Sequence, residues 1–246
     1  MEAEAMRQIL LITDGCSNVG VSPVVAAAHA QSEGITVNVV GVLDQEEAVD
    51  YGAPEIHEIA RAGGGLSRMV AMRELARTVQ MMTRKTVMHT IQSAVHKELQ
   101  QVFGATSLEE LSPDKRGEVV RVIDELGETS PLEVALLIDT SASMKPKMKA
   151  VEEAIHDLML SLQARQGKSR ISVFRFPGSR HGAECAQVLE WTDSAAGLPS
   201  LFAKITMQGT TPTGPALMHV IDFYRQDKYG RDNREETDGM RSGNVG

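Results

Sequence analysis

The sequence predicts an α/β fold built on a parallel sheet, and three observations carry that prediction. Unbroken apolar runs of strand length recur, as ILLIT (9–13), ITVNVVGVL (35–43) and VALLID (134–139). Strands buried on both faces read this way. Helical segments separate most of the runs, and strand and helix alternate along much of the chain, as crossover connections between parallel strands require.

Taken in order, the strand at 9–13 leads through the polar loop GCSNVGVSP into an alanine-rich helix from Pro23 to Glu33, which Gly34 ends. The strand 35–43 follows, then a helix near 53–61 that leads into Gly63-Gly64-Gly65, then a short edge strand at LSRMV (66–70). From Arg73 to Phe103 the pattern is helical. Leu75, Val79 and Met82 form one apolar stripe, and Met88, Ile91, Val95, Leu99 and Val102 a second. The phase slips between Met82 and Met88, which predicts two helices or a break there. Basic residues dominate 61–97, whereas 106–130 is acidic and carries a helix from Pro113 to Leu126. A solvated helix face accounts for the basic stretch; an acidic partner, or the chain's own acidic stretch, is the alternative.

The alternation resumes with VALLID and an amphipathic helix that turns Val151, Ile155, Leu158 and Leu162 inward. Strands are expected at 170–176 and 185–191, a short helix at LPSLFAKI (198–205), and another at ALMHVIDFY (216–224). From 226 to 246 the chain is polar, with charges of both signs and several glycines, and disorder is expected.

Composition narrows the function. A net charge of −8 argues against a general nucleic-acid binder. No run approaches the roughly 18 apolar residues of a membrane span, and MEAEAMRQ is too acidic for a secretory signal. The cysteines, Cys16 and Cys185, form no CxxC pair and suit free thiols in a reducing compartment. A cytoplasmic protein that contacts neither membrane nor nucleic acid is expected.

Two of the buried strands end in an aspartate, Asp14 in ILLITDG and Asp139 in VALLIDTSAS. The second places Asp139, Ser141 and Ser143 at alternate positions, aimed the same way if the backbone stays extended. Carboxylate and hydroxyls are hard oxygen donors, suited to Mg²⁺ or Mn²⁺ and poor at holding zinc. A plain helix cap at Ser143 is the simpler use of the same residues.

DTSAS resembles the DxSxS signature of the von Willebrand factor A (vWA) domain and its metal-ion-dependent adhesion site. The segment 209–217, GTTPTGPAL, resembles that family's GGTxTGxAL and places the metal-site threonine at Thr211, while ILLITDG resembles its TDG strand. Thr237-Asp238-Gly239 and Asp193 lack a preceding buried strand and are discarded. The family order is DxSxS, threonine loop, TDG strand. Here the TDG half (6–80) precedes the DxSxS half (132–225), neither is complete and nothing is duplicated.

The resemblance therefore implies a Rossmann-like sheet with helices on both faces, circularly permuted, with 81–131 as a helical joint and 226–246 as a tail. Joining nearby termini and cutting elsewhere is tolerated in compact domains. A joint of that length permits a monomer or a domain-swapped dimer. As a whole the chain is similar to the cytosolic vWA proteins of spore-forming bacteria.

The resemblance also implies roles. Ser141, Ser143 and Thr211 would offer hydroxyls to Mg²⁺ (or Mn²⁺), with Asp139 and Asp14 acting directly or through water. An ion held mainly by neutral hydroxyls keeps positive charge, so an Asp or Glu of a partner protein is the natural remaining ligand. Lys145, Lys147 and Lys149 are placed at the rim, as a solvated helix start. No nucleophile pair or general base is visible. GTTPTG lacks the Gly-Lys-Ser/Thr ending of a P-loop, and Ser141 stands where an aspartyl phosphatase needs a second carboxylate. A non-enzymatic, metal-dependent interaction module is expected; a regulatory subunit of an ATP-driven or kinase-linked assembly is the alternative.

Overall fold

A computed structural model describes residues 4–15, 17, 19–43, 53–103, 110, 112–178, 184–194, 198, 202, 205 and 209–242. Six strands form one sheet in the order β3-β2-β1-β4-β5-β6. These are β1 (Met6–Thr13), β2 (Ile35–Leu43), β3 (Gly64–Ala71), β4 (Leu132–Asp139), β5 (Ser169–Phe176) and β6 (Ala186–Thr192). All neighbours pair in parallel except β5 and β6, which are antiparallel. The sheet class expected from the buried apolar runs is therefore present. The central pair is β1–β4, in register from Met6 opposite Leu132 to Ile12 opposite Ile138.

Alternate residues of each central strand feed two cores, because successive side chains in a strand point to opposite faces. Leu10, Ile12, Leu136 and Ile138 face one side, with α3 (Leu75–Phe103) and α5 (Met148–Gln163). Ile9, Leu11, Ala135 and Leu137 face the other, with α1 (Pro23–Ser32), α2 (Ala53–Ala62) and α6 (Thr213–Ser242). Helix α4 (Pro113–Thr129) adds Ile123 to the α3 side. Helices thus cover both faces, which explains why the central strands are apolar on both.

Two helical expectations differ from the structure. Helix α3 is continuous, without the break expected between Met82 and Met88. Its buried stripe runs Leu75, Val79, Met82, Thr83, Thr86, Val87, Ile91 and Leu99, so spacings of three and four are kept by two threonines and Val87 rather than by Met88. Thr86 is held by the buried amide of Asn38, whose Oδ1 accepts from its hydroxyl at 2.9 Å. A polar residue on the inner face hid the continuity. Helix α6 also continues to Ser242, across much of the stretch where disorder is expected. A helix already nucleated by a packed first half propagates at little cost per residue. The helix expected at 198–205 lies mostly outside the described residues.

Connections leave β1 and β4 in opposite directions: β1 continues to β2 on one side of the sheet and β4 to β5 on the other. The strand order reverses between them, and in open α/β sheets the ligand crevice forms beyond the carboxyl ends of the strands at such a point. Asp14 follows β1 and Asp139 ends β4 at that edge.

Candidate metal centre

Parallel, in-register pairing brings the ends of β1 and β4 together. Thr13 Oγ1 donates to Asp139 Oδ2 at 2.7 Å across 126 residues of chain. The other oxygen, Asp139 Oδ1, accepts from the Ser141 backbone N–H at 2.8 Å. Asp139 is fully buried, and among the described residues no cation pairs with it. Burial pushes its carboxyl above the usual carboxylate range, and the nearby charge of Asp14 adds to the rise, against the hydrogen bonds from Ser141 and Thr13.

The hydroxyls continue the line. Beyond Ser141 the chain turns into a 3₁₀ helix (Ala142–Lys147) in which neither serine serves as a cap by side-chain hydrogen bond. Instead Ser141 Oγ and Ser143 Oγ lie 3.1 Å apart, and Ser143 Oγ donates to Asp14 Oδ1 at 3.0 Å. Asp139, Ser141, Ser143 and Asp14 thus form one linked set, with Ser143 on the exposed side.

Thr211, in the same half of the chain as Asp139, meets the loop after β1. It is buried, and its carbonyl accepts from Ser17 Oγ at 3.3 Å. Ser17 N–H also donates to Glu55 Oε2 at 2.9 Å, which ties the loop after β1 to both the threonine loop and α2. Gly214 makes this approach possible, because a Cβ there would collide with the Val21 carbonyl oxygen. Beside that contact, Gly20 has φ +88° and sits against Pro215.

Lys147 is not on the rim. Lys145 and Lys149 are exposed, but the Lys147 ammonium lies 2.6 Å from Asp14 Oδ2 with both side chains about 5% exposed. Its stem enters the fold because residue 147 ends the 3₁₀ turn on the same side as buried Met144, three residues earlier. Thr13 and Lys147 are the participants that motif reading missed. Thr13 had a signal, since a threonine closes an otherwise apolar strand beside Asp14; Lys147 had none beyond its spacing from Met144. Cys16 lies outside the described residues. Cys185 is free and buried, its thiol pushed up to about 12 by burial, so it is no nucleophile.

The donor set fits a small hard cation. Octahedral Mg²⁺ with bonds near 2.1 Å spaces adjacent ligand oxygens about 3.0 Å apart. The Ser141–Ser143 and Ser143–Asp14 separations, 3.1 and 3.0 Å, match that spacing. No cluster of three His, Cys, Asp or Glu residues able to hold a metal occurs among the described residues. No described helix is long and apolar enough to cross a membrane.

Comparison with known proteins gives one strong sequence relative. The Bacillus subtilis (strain 168) protein YabS is 48% identical over 213 residues, 86% of each chain. A crystal structure of an uncharacterized protein from Alicyclobacillus acidocaldarius subsp. acidocaldarius DSM 446 has the same fold, with TM-score 0.86 and 40% identity over 92% of this chain and 96% of that one. Proximal thread matrix protein 1 of the mussel byssus, solved with a zinc-occupied MIDAS motif, reaches only TM-score 0.26 at 15% identity, over 84% of this chain and 43% of that one. That likeness is too slight to bear on this site. No family model matches the chain.

Proposed function

We propose that this chain, which belongs to the family of the Bacillus subtilis protein YabS, is a metal-dependent protein-interaction module and not an enzyme. Asp139, Ser141, Ser143, Thr211 and Asp14 would hold Mg²⁺ (or Mn²⁺) at the carboxyl edge of the central strands. When bound, the ion supplies a Lewis-acidic anchor for an Asp or Glu carboxylate of a partner protein. The observation that carries this reading is the buried Asp139 carboxylate, which has no cationic partner among the described residues and accepts from the backbone N–H of Ser141, whose hydroxyl meets that of Ser143, the donor to Asp14. Burying an unpaired carboxylate is costly, and a divalent ion at the serines would offset that cost.

The residues' own contributions follow. Thr13 and the Ser141 backbone orient Asp139 through one bond to each oxygen. The 3₁₀ turn presents both serine hydroxyls on one side, and Ser17 holds the Thr211 loop to the same edge. Exposed Ser143 leaves one side of the site open to a partner.

A permuted vWA-like arrangement is part of the same proposal. Reading from β4, the chain runs DxSxS loop, threonine loop, α6, then the β1 TDG strand. The end of the second half meets the start of the first, since Lys228 Nζ on α6 lies 3.0 Å from Glu4 Oε1. Both halves contribute three strands to one sheet.

The test is thermal stability with and without Mg²⁺, for the natural protein and for Ser141→Ala/Ser143→Ala. A ligand that binds only the folded state at 100 times its Kd adds about 2.7 kcal/mol. The natural protein is expected to gain stability of that order, and the double variant to gain none. No gain in the natural protein, or an equal gain in both, refutes the site.

A further inference from the structure

We propose that the Lys147 ammonium is a built-in counter-cation of this site, which holds Asp14 in place without metal and weakens the site's affinity for a divalent ion. This rests on the metal reading above and adds what sets its strength. Asp14 has both carboxylate oxygens engaged, Oδ1 by Ser143 Oγ at 3.0 Å and Oδ2 by Lys147 Nζ at 2.6 Å. Both the Asp14 and Lys147 side chains are withdrawn from solvent, so the pair is weakly screened. A cation bound at the serine hydroxyls stands beside that fixed positive charge. It must either share Asp14 with the ammonium or displace it.

The charges then reverse on loading. Asp139, Asp14 and Lys147 together carry −1; a divalent ion takes the site to +1. Without the lysine the same change would run from −2 to 0. Lys147 therefore trades metal affinity for a net positive site when the ion is present. The two-unit change on loading is the same with or without it, but the lysine moves the loaded site from neutral to positive, so that it attracts an acidic partner.

Calorimetric titration of the full chain with Mg²⁺, for the natural protein, Lys147→Met and Lys147→Arg, tests this. Removing a unit charge beside a divalent ion in a poorly solvated site is expected to tighten Mg²⁺ binding about tenfold or more in Lys147→Met. The charge-keeping arginine stays near the natural value. In chelator, Lys147→Met melts below the natural protein, because Asp14 has lost its partner, and saturating Mg²⁺ narrows the gap. If the methionine variant does not fold, Lys147→Gln replaces it, with tightening in the same direction. Equal or weaker Mg²⁺ binding in Lys147→Met, with the natural protein binding normally, overturns this proposal and leaves the metal reading intact. Binding by Lys147→Met alone leaves the natural site closed to the ion and overturns both. No binding by any of them overturns both.

Discussion

The two ends of the β1–β4 pair solve the same problem in different ways. Each end buries a carboxylate. At the amino end Glu133 is buried, and Arg170 Nη2 lies 2.7 Å from its Oε1. The same guanidinium reaches Asp227 on α6 at 2.7 Å and lies 4.6 Å from the centroid of the Trp191 ring. Tyr224, fully buried, accepts from the Ala135 N–H and donates toward the Gln8 and Glu133 carbonyls, 2.9 and 3.0 Å away. Here the chain supplies its own cation, and the polar groups of both strands are stitched to α6. At the carboxyl end Asp139 meets hydroxyls and an amide, and the available lysine is spent on Asp14. Among the described residues Glu133 thus has a cation beside it and Asp139 has none, and an uncompensated buried charge is the kind that marks a candidate ligand site.

Three experiments sharpen that contrast. Arg170→Met removes the cation from the self-sufficient end and leaves Glu133 buried beside an apolar side chain. It is expected to cost about 2–3 kcal/mol, below the figure for a fully buried pair because Arg170 is partly exposed. The loss is read by denaturant unfolding, and the Mg²⁺-induced gain should survive it. An unchanged midpoint would show that the amino-end network does not hold the fold.

Asp139→Asn acts at the other end with a smaller effect on the metal-free protein. The amide can still accept from the Ser141 N–H and can donate to Thr13 Oγ1, so metal-free stability stays within about 1 kcal/mol of natural. The same variant should lose its thermal response to Mg²⁺. A large loss of metal-free stability would make Asp139 a structural charge like Glu133.

The smallest effect is on pH dependence. Burial holds the Asp139 pKa in the fold above its unfolded value, so the folded state binds the proton more tightly. This group's contribution to metal-free stability is therefore greatest below the unfolded pKa, about 4, and declines as pH rises through the elevated folded one. The metal needs the ionised carboxylate, so the Mg²⁺-induced rise in Tm should shrink as pH falls through the same window. A response to Mg²⁺ that does not vary with pH there would remove Asp139 from the ligand set.

Sequence and structure agree where the signal is local and diverge where it is shared between distant segments. The strands were legible because burial on both faces demands unbroken apolar runs, as in β1 and β4. The inner stripe of α3 was not, since Thr83 and Thr86 look polar until Asn38 of β2 is seen beneath Thr86. Asp14 and Asp139 could be singled out from strand ends and a family resemblance. Lys147 could not, because nothing in KPKMK separates the middle lysine from its exposed neighbours.

The sequence by itself determined the class of fold, its strands and the oxygen-rich loops, for these follow from periodicity and from residue chemistry over a few positions. Only the tertiary structure decided that Thr13 would meet Asp139, that Lys147 would turn inward to Asp14, and that Arg170 would pair with Glu133 at one end of the sheet while Asp139, among the described residues, met no cation at the other. Such pairings depend on parallel register and on which helix crosses which face. They are set by the packing of the whole core, and no local stretch of sequence encodes them.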